Sequence, residues 1–236
     1  MYEVNEGVSE LLFVFLIGLV IIAFAAFVYK QDGTNFTKLT NYSIFDLMVD
    51  KEARKLNAIY KALQKADGEY KILLNVHVQD GSNAYKILAL LIHESGVHVI
   101  TEVDAKGWIV GSDRSIEWVN ILYKNKKEMF NNPVLINRRY VYALRDNVVE
   151  LPDNVFHSVV LFGNDCSFQK VEVSTDNVEV LKLKELKLWS AALAGDALNA
   201  DDINTIYESL KDKMEFKKKL VAKKKVKKVK TKKQIA

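Results

Sequence analysis

A continuous apolar run near the N-terminus constrains this chain more than any other feature of its sequence. Residues 11–29, LLFVFLIGLVIIAFAAFVY, contain no charged residue and no proline. About 20 apolar residues in a helix cross a bilayer core roughly 30 Å thick, and a helix satisfies its own backbone hydrogen bonds there. We therefore expect a single transmembrane helix over 11–29.

A cleaved signal peptide and a buried core helix are the two alternatives for such a run. A signal peptide begins with a basic stretch, whereas residues 1–10 carry three glutamates and no Lys or Arg, which favours an uncleaved anchor. Lys30 and Lys38 follow the run. The positive-inside rule then predicts a single-pass protein of the cell inner or plasma membrane, with residues 1–10 outside and the C-terminal body in the cytoplasm.

The net charge of +4 conceals an acidic body and a basic tail. Residues 211–233 hold 13 lysines against two acidic residues, a local charge of +11, whereas residues 1–210 carry 21 Lys and Arg against 28 Asp and Glu, or −7. Cys166 is the single cysteine of the chain. It has no partner for an intramolecular disulfide, as expected of a body in a reducing compartment.

Residues 30–42, KQDGTNFTKLTNY, are polar and show no apolar period, which indicates a linker between the membrane and a domain. From Ser43 the pattern changes to apolar residues at three- and four-residue steps. This spacing predicts one amphipathic helix that ends near the Ala66–Gly68 turn. The apolar positions are Leu47, Ala53, Leu56, Ile59, Tyr60 and Leu63.

Three runs rich in β-forming residues follow, at 70–78, 84–92 and 96–103, separated by turn sequences QDGSN and HESG. They predict an antiparallel meander. A helix over Val134–Leu144, strand-like runs at 158–164 and 170–175, and a helix that opens at Asp201 come next. The order predicts an α/β domain over 43–215, with residues 216–236 as a disordered lysine-rich tail.

The segment GVHVITEVDAKGWIVGS, residues 96–112, begins as a buried strand and ends in a turn. From Asp50 to about Leu210 the chain resembles the NERD family, the nuclease-related domain of bacterial proteins within the PD-(D/E)xK restriction-endonuclease-like superfamily. The resemblance implies a restriction-endonuclease-like core, a mixed or antiparallel sheet flanked by helices. The residues that carry it are Gly107, Trp108, Ile109, Gly111, Trp118, Asn132, Pro133 and Asn137.

Nuclease chemistry of this kind needs carboxylates that bind Mg²⁺ and a lysine near the attacking water. Alignment on Gly96 and the Gly-Trp pair places the family's Asp at Leu88, its Glu at Thr101 and its Lys at Val103. Glu52, on the first helix of the domain, is the one remaining acidic counterpart. The resemblance therefore implies a nuclease fold without its catalytic residues and without a metal.

A shifted register offers an alternative. Glu102, Asp104 and Lys106 recur at spacing two, so the alternative hypothesis is a migrated Mg²⁺-dependent site that acts on DNA or RNA. That shift would turn the apolar row of Val97, Val99 and Val103 away from the core, which argues against it.

No other catalytic pattern stands out. The four histidines show no pair at ligand spacing, and the sequence has no Gly-x-Ser-x-Gly elbow and no phosphate-binding glycine loop. The lysine tail remains as an anion-binding segment that suits nucleic acid, anionic lipid or no partner at all, because charge alone does not distinguish these. Its candidate residues are Lys217, Lys218, Lys219, Lys223, Lys224, Lys225, Lys227 and Lys228. We expect a binding or scaffolding module rather than an enzyme.

Overall fold

The computed structural model describes residues 3–32, 34–148 and 150–214 of the chain. The chain forms two compact units. The smaller includes Met1–Arg54, and the larger comprises Lys55–Glu215.

The smaller unit begins with helix α1 (Glu3–Asp32), which contains the apolar run. From Glu10 to Phe27 none of its side chains is buried. A core helix would hide these side chains, so that alternative does not describe α1. The helix is long and apolar enough to cross a membrane.

The polar stretch predicted as a linker contains regular structure. Helix α2 (Asn35–Thr40) begins after Thr34, whose hydroxyl accepts a hydrogen bond from the backbone N–H of Thr37. It ends at Asn41, which adopts the left-handed conformation with φ of 58°. These caps satisfy backbone groups at both ends of the helix, which explains how so polar a sequence forms one.

The amphipathic helix predicted from residue 43 is divided in two. Helix α3 (Ile44–Val49) begins with a capping box between Ser43 and Asp46, and helix α4 (Lys51–Leu63) follows Asp50. The backbone of Asp50 is extended, and its Oδ1 accepts a hydrogen bond at 2.8 Å from the N–H two residues on. The spacing of apolar residues could not predict this interruption, because it depends on the polar side chain of Asp50.

The described part of the larger unit contains nine strands: β1 (Tyr70–Asp80), β2 (Asn83–His93), β3 (Gly96–Val103), β4 (Gly107–Ser112), β5 (Glu117–Ile121), β6 (Lys127–Asn131), β7 (Phe156–Phe162), β8 (Cys166–Glu172) and β9 (Val178–Lys182). They form two sheets, of order β1-β2-β3-β7-β9 and β6-β5-β4-β8. Strands β1, β2 and β3 are the predicted antiparallel meander. Strands β7 and β9 join it in parallel, so the larger sheet is mixed.

The remaining helices of the larger unit are α5 (Pro133–Arg145), α6 (Leu186–Ala191) and α7 (Ala200–Leu210), with short 3₁₀ turns at Tyr123–Asn125, Asp153–Val155 and Lys211–Lys213. Pro133 at the first turn of α5 has no N–H to leave unsatisfied, and the Asn132 side chain caps that helix at 2.9 Å. The predicted helices over α5 and α7 are confirmed.

Two glycines of β4 allow neighbouring groups to approach the strand closely. Gly107 has φ of +77°, and a Cβ on it would lie 2.4 Å from the carbonyl oxygen of Ile121. A Cβ on Gly111 would meet the ring of Trp118 at 2.2 Å. Trp118 is fully buried, and its indole N–H donates to the carbonyl oxygen of Ser112 at 2.9 Å. The Gly-Trp-Ile-x-Gly motif therefore serves packing.

The predicted α/β fold with a mixed sheet flanked by helices, and with one apolar N-terminal helix that could span a membrane, is confirmed. Strands β5, β6 and β9 and helices α2 and α6 were not predicted. All five are short, and β6 and β9 lie at sheet edges, where one row of pairs leaves little periodicity in the sequence.

Candidate functional site

Strand β3 carries the positions at which the resemblance places the catalytic Glu and Lys. Its first six residues are buried and only Glu102 and Val103 are partly exposed. Because side chains alternate along a strand, Thr101 and Val103 share one face and Glu102 lies on the other. Both faces of this strand are therefore covered for most of its length.

Helix α5 covers the face of Thr101 through one fully buried side chain. The Nδ2 amide of Asn137 lies 2.8 Å from Oγ1 of Thr101, 2.9 Å from the carbonyl oxygen of Val99 and 3.1 Å from that of Val159. It thus joins β3 to β7. At the position where the resemblance places the family's glutamate, the structure has a neutral hydroxyl bonded to a neutral amide.

The other aligned positions are also neutral. Leu88 is half-buried two residues before Leu90, which pairs with Val99, so alternation places Leu88 on the face of Thr101. Mg²⁺ is bound by hard oxygen ligands, usually carboxylates. The residues at Leu88, Thr101 and Val103 do not fit a divalent cation.

An open cavity of about 400 Å³ lies at the end of β3. It brings together residues from β3, the loop after it, β5, β6 and the start of α5. Its polar lining residues are Glu102, Asp104, Asn120, Glu128 and Asn131. Two members of the alternative site, Glu102 and Asp104, are thus placed together, and the structure adds Glu128 from a strand that the sequence did not predict.

Lysines accompany these carboxylates. Lys55 of α4 lies 2.7 Å from Glu102, and Lys126 lies 2.6 Å from Glu128. The bond from Lys126 is the largest influence that lowers the pKa of the Glu128 carboxyl. Among the residues that the structure describes, no group of three His, Cys, Asp or Glu side chains could hold a metal ion.

Lys106, the third member of the alternative site, does not line the cavity. Its ammonium group lies 3.6 Å from Asp165, and both side chains are largely exposed. The chain turns after β3, so the spacing-two pattern of Glu102, Asp104 and Lys106 does not continue as one strand face.

Glu52 is exposed in the first turn of α4. It belongs to the smaller unit. The lysines proposed as an anion-binding tail, from Lys217 to Lys228, lie outside the described residues.

A histidine cluster that the sequence analysis missed lies at the other end of β3. His98 and His157 face each other in the parallel pair of β3 and β7, and their rings stack with centroids 4.6 Å apart. Ser95 connects this pair to His93, because its Oγ lies 2.8 Å from Nδ1 of His93 and 2.9 Å from Nε2 of His98. The edge of Trp189 covers His98 at 5.3 Å between centroids.

The cluster is built to be uncharged. The backbone N–H of Ser95 donates to Nδ1 of His93 at 3.0 Å, so Nε2 of His93 carries the proton and donates to the carbonyl oxygen of Asp67 at 2.7 Å. Burial, with smaller contributions from the neighbouring histidines, lowers the pKa of His98 to about 3. Burial likewise lowers the pKa of His157. The spacing of His93 and His98 across the HESG turn could have suggested that these two lie close together. It could not have suggested His157, which reaches His98 through the pairing of β7 with β3.

One buried carboxylate is fully partnered. Asp113, in the turn after β4, is 5% exposed, and its Oδ2 accepts hydrogen bonds from the backbone N–H and hydroxyl groups of Ser174 and Thr175 at 2.7 to 3.3 Å. The bond from the Thr175 hydroxyl is the largest of the influences that hold the pKa of Asp113 well below its usual range. This contact fastens the loop between β8 and β9.

Comparison with known proteins agrees with the resemblance. Residues 51–163, from α4 through β7, match the family model described as NERD, Nuclease-related domain. This segment is therefore similar to the nuclease-related domain family, which lies within the restriction-endonuclease-like superfamily.

A relative among curated proteins is an uncharacterized protein of Bacillus anthracis, pXO1-01. It is 26% identical over 154 residues, which are 64% of this chain and 71% of the relative. The segment matched by the family model, residues 51–163, includes Leu88, Thr101 and Val103 and the acid-lined cavity.

Proposed function

We propose that this protein is a membrane-anchored nuclease-related domain that binds or scaffolds other molecules and does not cleave phosphodiesters. The observation that carries the proposal is the buried contact between Asn137 and Thr101. Phosphodiester hydrolysis in this superfamily needs acidic oxygens and a lysine at these strand positions. A neutral amide and hydroxyl supply neither.

Helix α1 supports the anchoring part of the proposal. None of its side chains from Glu10 to Phe27 is buried, and this apolar stretch matches the thickness of a bilayer core. The lysines that follow it favour a cytoplasmic location for the larger unit, with residues 1–10 on the opposite side of the inner or plasma membrane.

The lysine-rich tail supplies the binding part. A charge of +11 over residues 211–233 attracts anionic lipid or nucleic acid without reading base sequence, because no aromatic residue follows Phe216 to stack on bases. Binding through it should weaken steeply with salt. Retention on DNA and on anionic vesicles, compared before and after deletion of residues 217–236, distinguishes the two ligands.

Cleavage assays test the inactivity. Full-length protein is incubated with single- and double-stranded DNA and with RNA, in Mg²⁺ and in Mn²⁺. We expect no cleavage above a preparation of the double variant Glu102→Gln and Asp104→Asn. Cleavage by the native chain that this variant abolishes would instead establish the Mg²⁺-dependent nuclease with a migrated site, for which the shared cavity of Glu102 and Asp104 is the favouring observation.

Anchoring is tested separately. The full-length chain should remain with the membrane pellet after carbonate extraction, and a reporter fused to the C-terminus should be active only in the cytoplasm. A soluble protein, or a C-terminal reporter active outside, would overturn the anchor or its orientation.

A further inference from the structure

Helix α3 presents an apolar face that is largely exposed among the described residues. Phe45, Met48 and Val49 are 54%, 61% and 80% exposed. Their spacing of three and four residues places them on one side of the helix. Ile44, by contrast, is buried.

This face continues the apolar surface of α1. The ring of Phe45 meets that of Phe24 edge to face, with centroids 6.3 Å apart. Phe24 lies three residues before Phe27, the last residue of the apolar window. At a rise of 1.5 Å per residue, Phe24 lies about 5 Å before the end of this window, and Phe45 contacts α1 there.

The polar groups of α3 are directed into its own ends. The carboxylate of Asp46 accepts hydrogen bonds from the backbone N–H and the hydroxyl of Ser43, at 2.8 and 3.1 Å. At the other end, the guanidinium of Arg54 donates to the carbonyl oxygen of Met48 at 2.7 Å. These caps reduce the cost of bringing the helix ends close to lipid.

We propose that α3 lies in the headgroup region of the membrane, with Phe45, Met48 and Val49 inserted to the acyl-chain boundary. The partner is a lipid bilayer, because the apolar face is continuous with α1, and interfacial helices bury their apolar side by about 5 to 10 Å. The inference rests on the proposed membrane anchor. In this position α3 would fix the depth and orientation of α1 at the membrane–water interface.

Depth measurements on the full-length protein in phosphatidylcholine vesicles test this. In a Cys166→Ala background, single cysteines at Phe45→Cys and Met48→Cys carry the environment-sensitive NBD dye. Lys38→Cys, on the exposed side of α2, is the water-facing control, and Leu16→Cys, within the apolar run, is the bilayer control. Iodide reports contact with water, and lipids with a doxyl group at carbon 5 or 12 report depth.

We expect iodide quenching at positions 45 and 48 to be roughly three- to tenfold weaker than at Lys38, as for residues at the acyl boundary. The carbon-5 quencher should act more strongly there than the carbon-12 quencher, and Leu16 should show the reverse. Labels at 45 and 48 that behave like Lys38 while Leu16 is quenched by lipid would overturn the inference alone. Labels shielded from iodide yet not quenched by lipid would mean that protein covers this face. If the label at Leu16→Cys were not quenched by either lipid, the membrane anchor itself would be overturned.

Discussion

The two parts of strand β3 differ in the polar side chains they carry and in the partners of those side chains. From His98 to Thr101 the strand is buried, and its polar side chains meet neutral partners in Ser95 and Asn137. From Glu102 onward the chain reaches an open cavity, and there the charges appear with lysine partners. In the buried part of β3 the polar side chains are uncharged, as expected because desolvation of a charge costs far more than desolvation of an amide.

The largest expected effect comes from placing a charge in the neutral part. Asn137→Asp keeps the shape but faces the carbonyl oxygens of Val99 and Val159 with a carboxylate. We expect a loss of about 3–5 kcal/mol in unfolding free energy near pH 7. Burial raises the folded pKa of such an Asp, so the loss should shrink as pH falls toward the unfolded pKa. Denaturation curves at pH 5 and pH 7 check this, and equal losses at both would contradict it.

Asp113 is buried and charged, unlike the neutral polar residues in the buried part of β3. Four hydrogen-bond donors compensate its charge. Asp113→Ala should lower the unfolding free energy by about 2–4 kcal/mol, since it removes bonds to a charged group and leaves donors without a partner. Asp176→Ala, at an exposed position in the loop fastened by Asp113, is the matched control. A loss as large in the control would refute the assigned role of Asp113.

The histidine cluster sharpens the comparison through pH. The unfolded chain protonates His98 near pH 6.5, whereas the folded protein keeps it neutral down to about pH 3. Because the unfolded state binds more protons in this window, stability should fall on acidification, by about 2 kcal/mol between pH 8 and pH 5 for this one group.

His98→Gln should flatten that pH dependence, and His77→Gln, at an exposed position on β1, should preserve it. Thermal melts followed by tryptophan fluorescence from pH 5 to pH 8 provide the measurement. If the melting temperature of His98→Gln depended on pH as strongly as that of the native protein, His98 would not be the source of the pH dependence.

The smallest effect belongs to the charged end of β3. Lys55 and Glu102 form a pair whose side chains are 34% and 23% exposed, so solvent screens much of their attraction. Glu102→Gln should change the unfolding free energy by less than about 1 kcal/mol, and Lys55→Met by a similar amount. A double-mutant cycle in urea measures the coupling, and a value well above this would show that the cavity is drier than its opening suggests.

Much of this architecture was predictable from local patterns. Apolar periodicity and turn residues predict several elements. These are the apolar helix α1, the meander of β1 to β3 and helices α5 and α7. The division of α3 from α4 at Asp50, and the strands β6 and β9, were not predictable, because single caps and short edge strands leave little pattern. The assignment of Thr101 and Val103 came from the resemblance; the contact between Thr101 and the buried Asn137 did not.

The sequence by itself indicated a membrane-length apolar helix followed by an α/β domain. The resemblance to the nuclease-related domain family added the prediction that Leu88, Thr101 and Val103 stand at the positions of its charged residues. Only the tertiary structure decided what took their place. Asn137 lies 36 residues from Thr101 along the chain, and His157 reaches His98 through a parallel pair of strands. Chain spacing carries no record of such contacts, because they form only when burial and hydrogen bonding bring distant segments together.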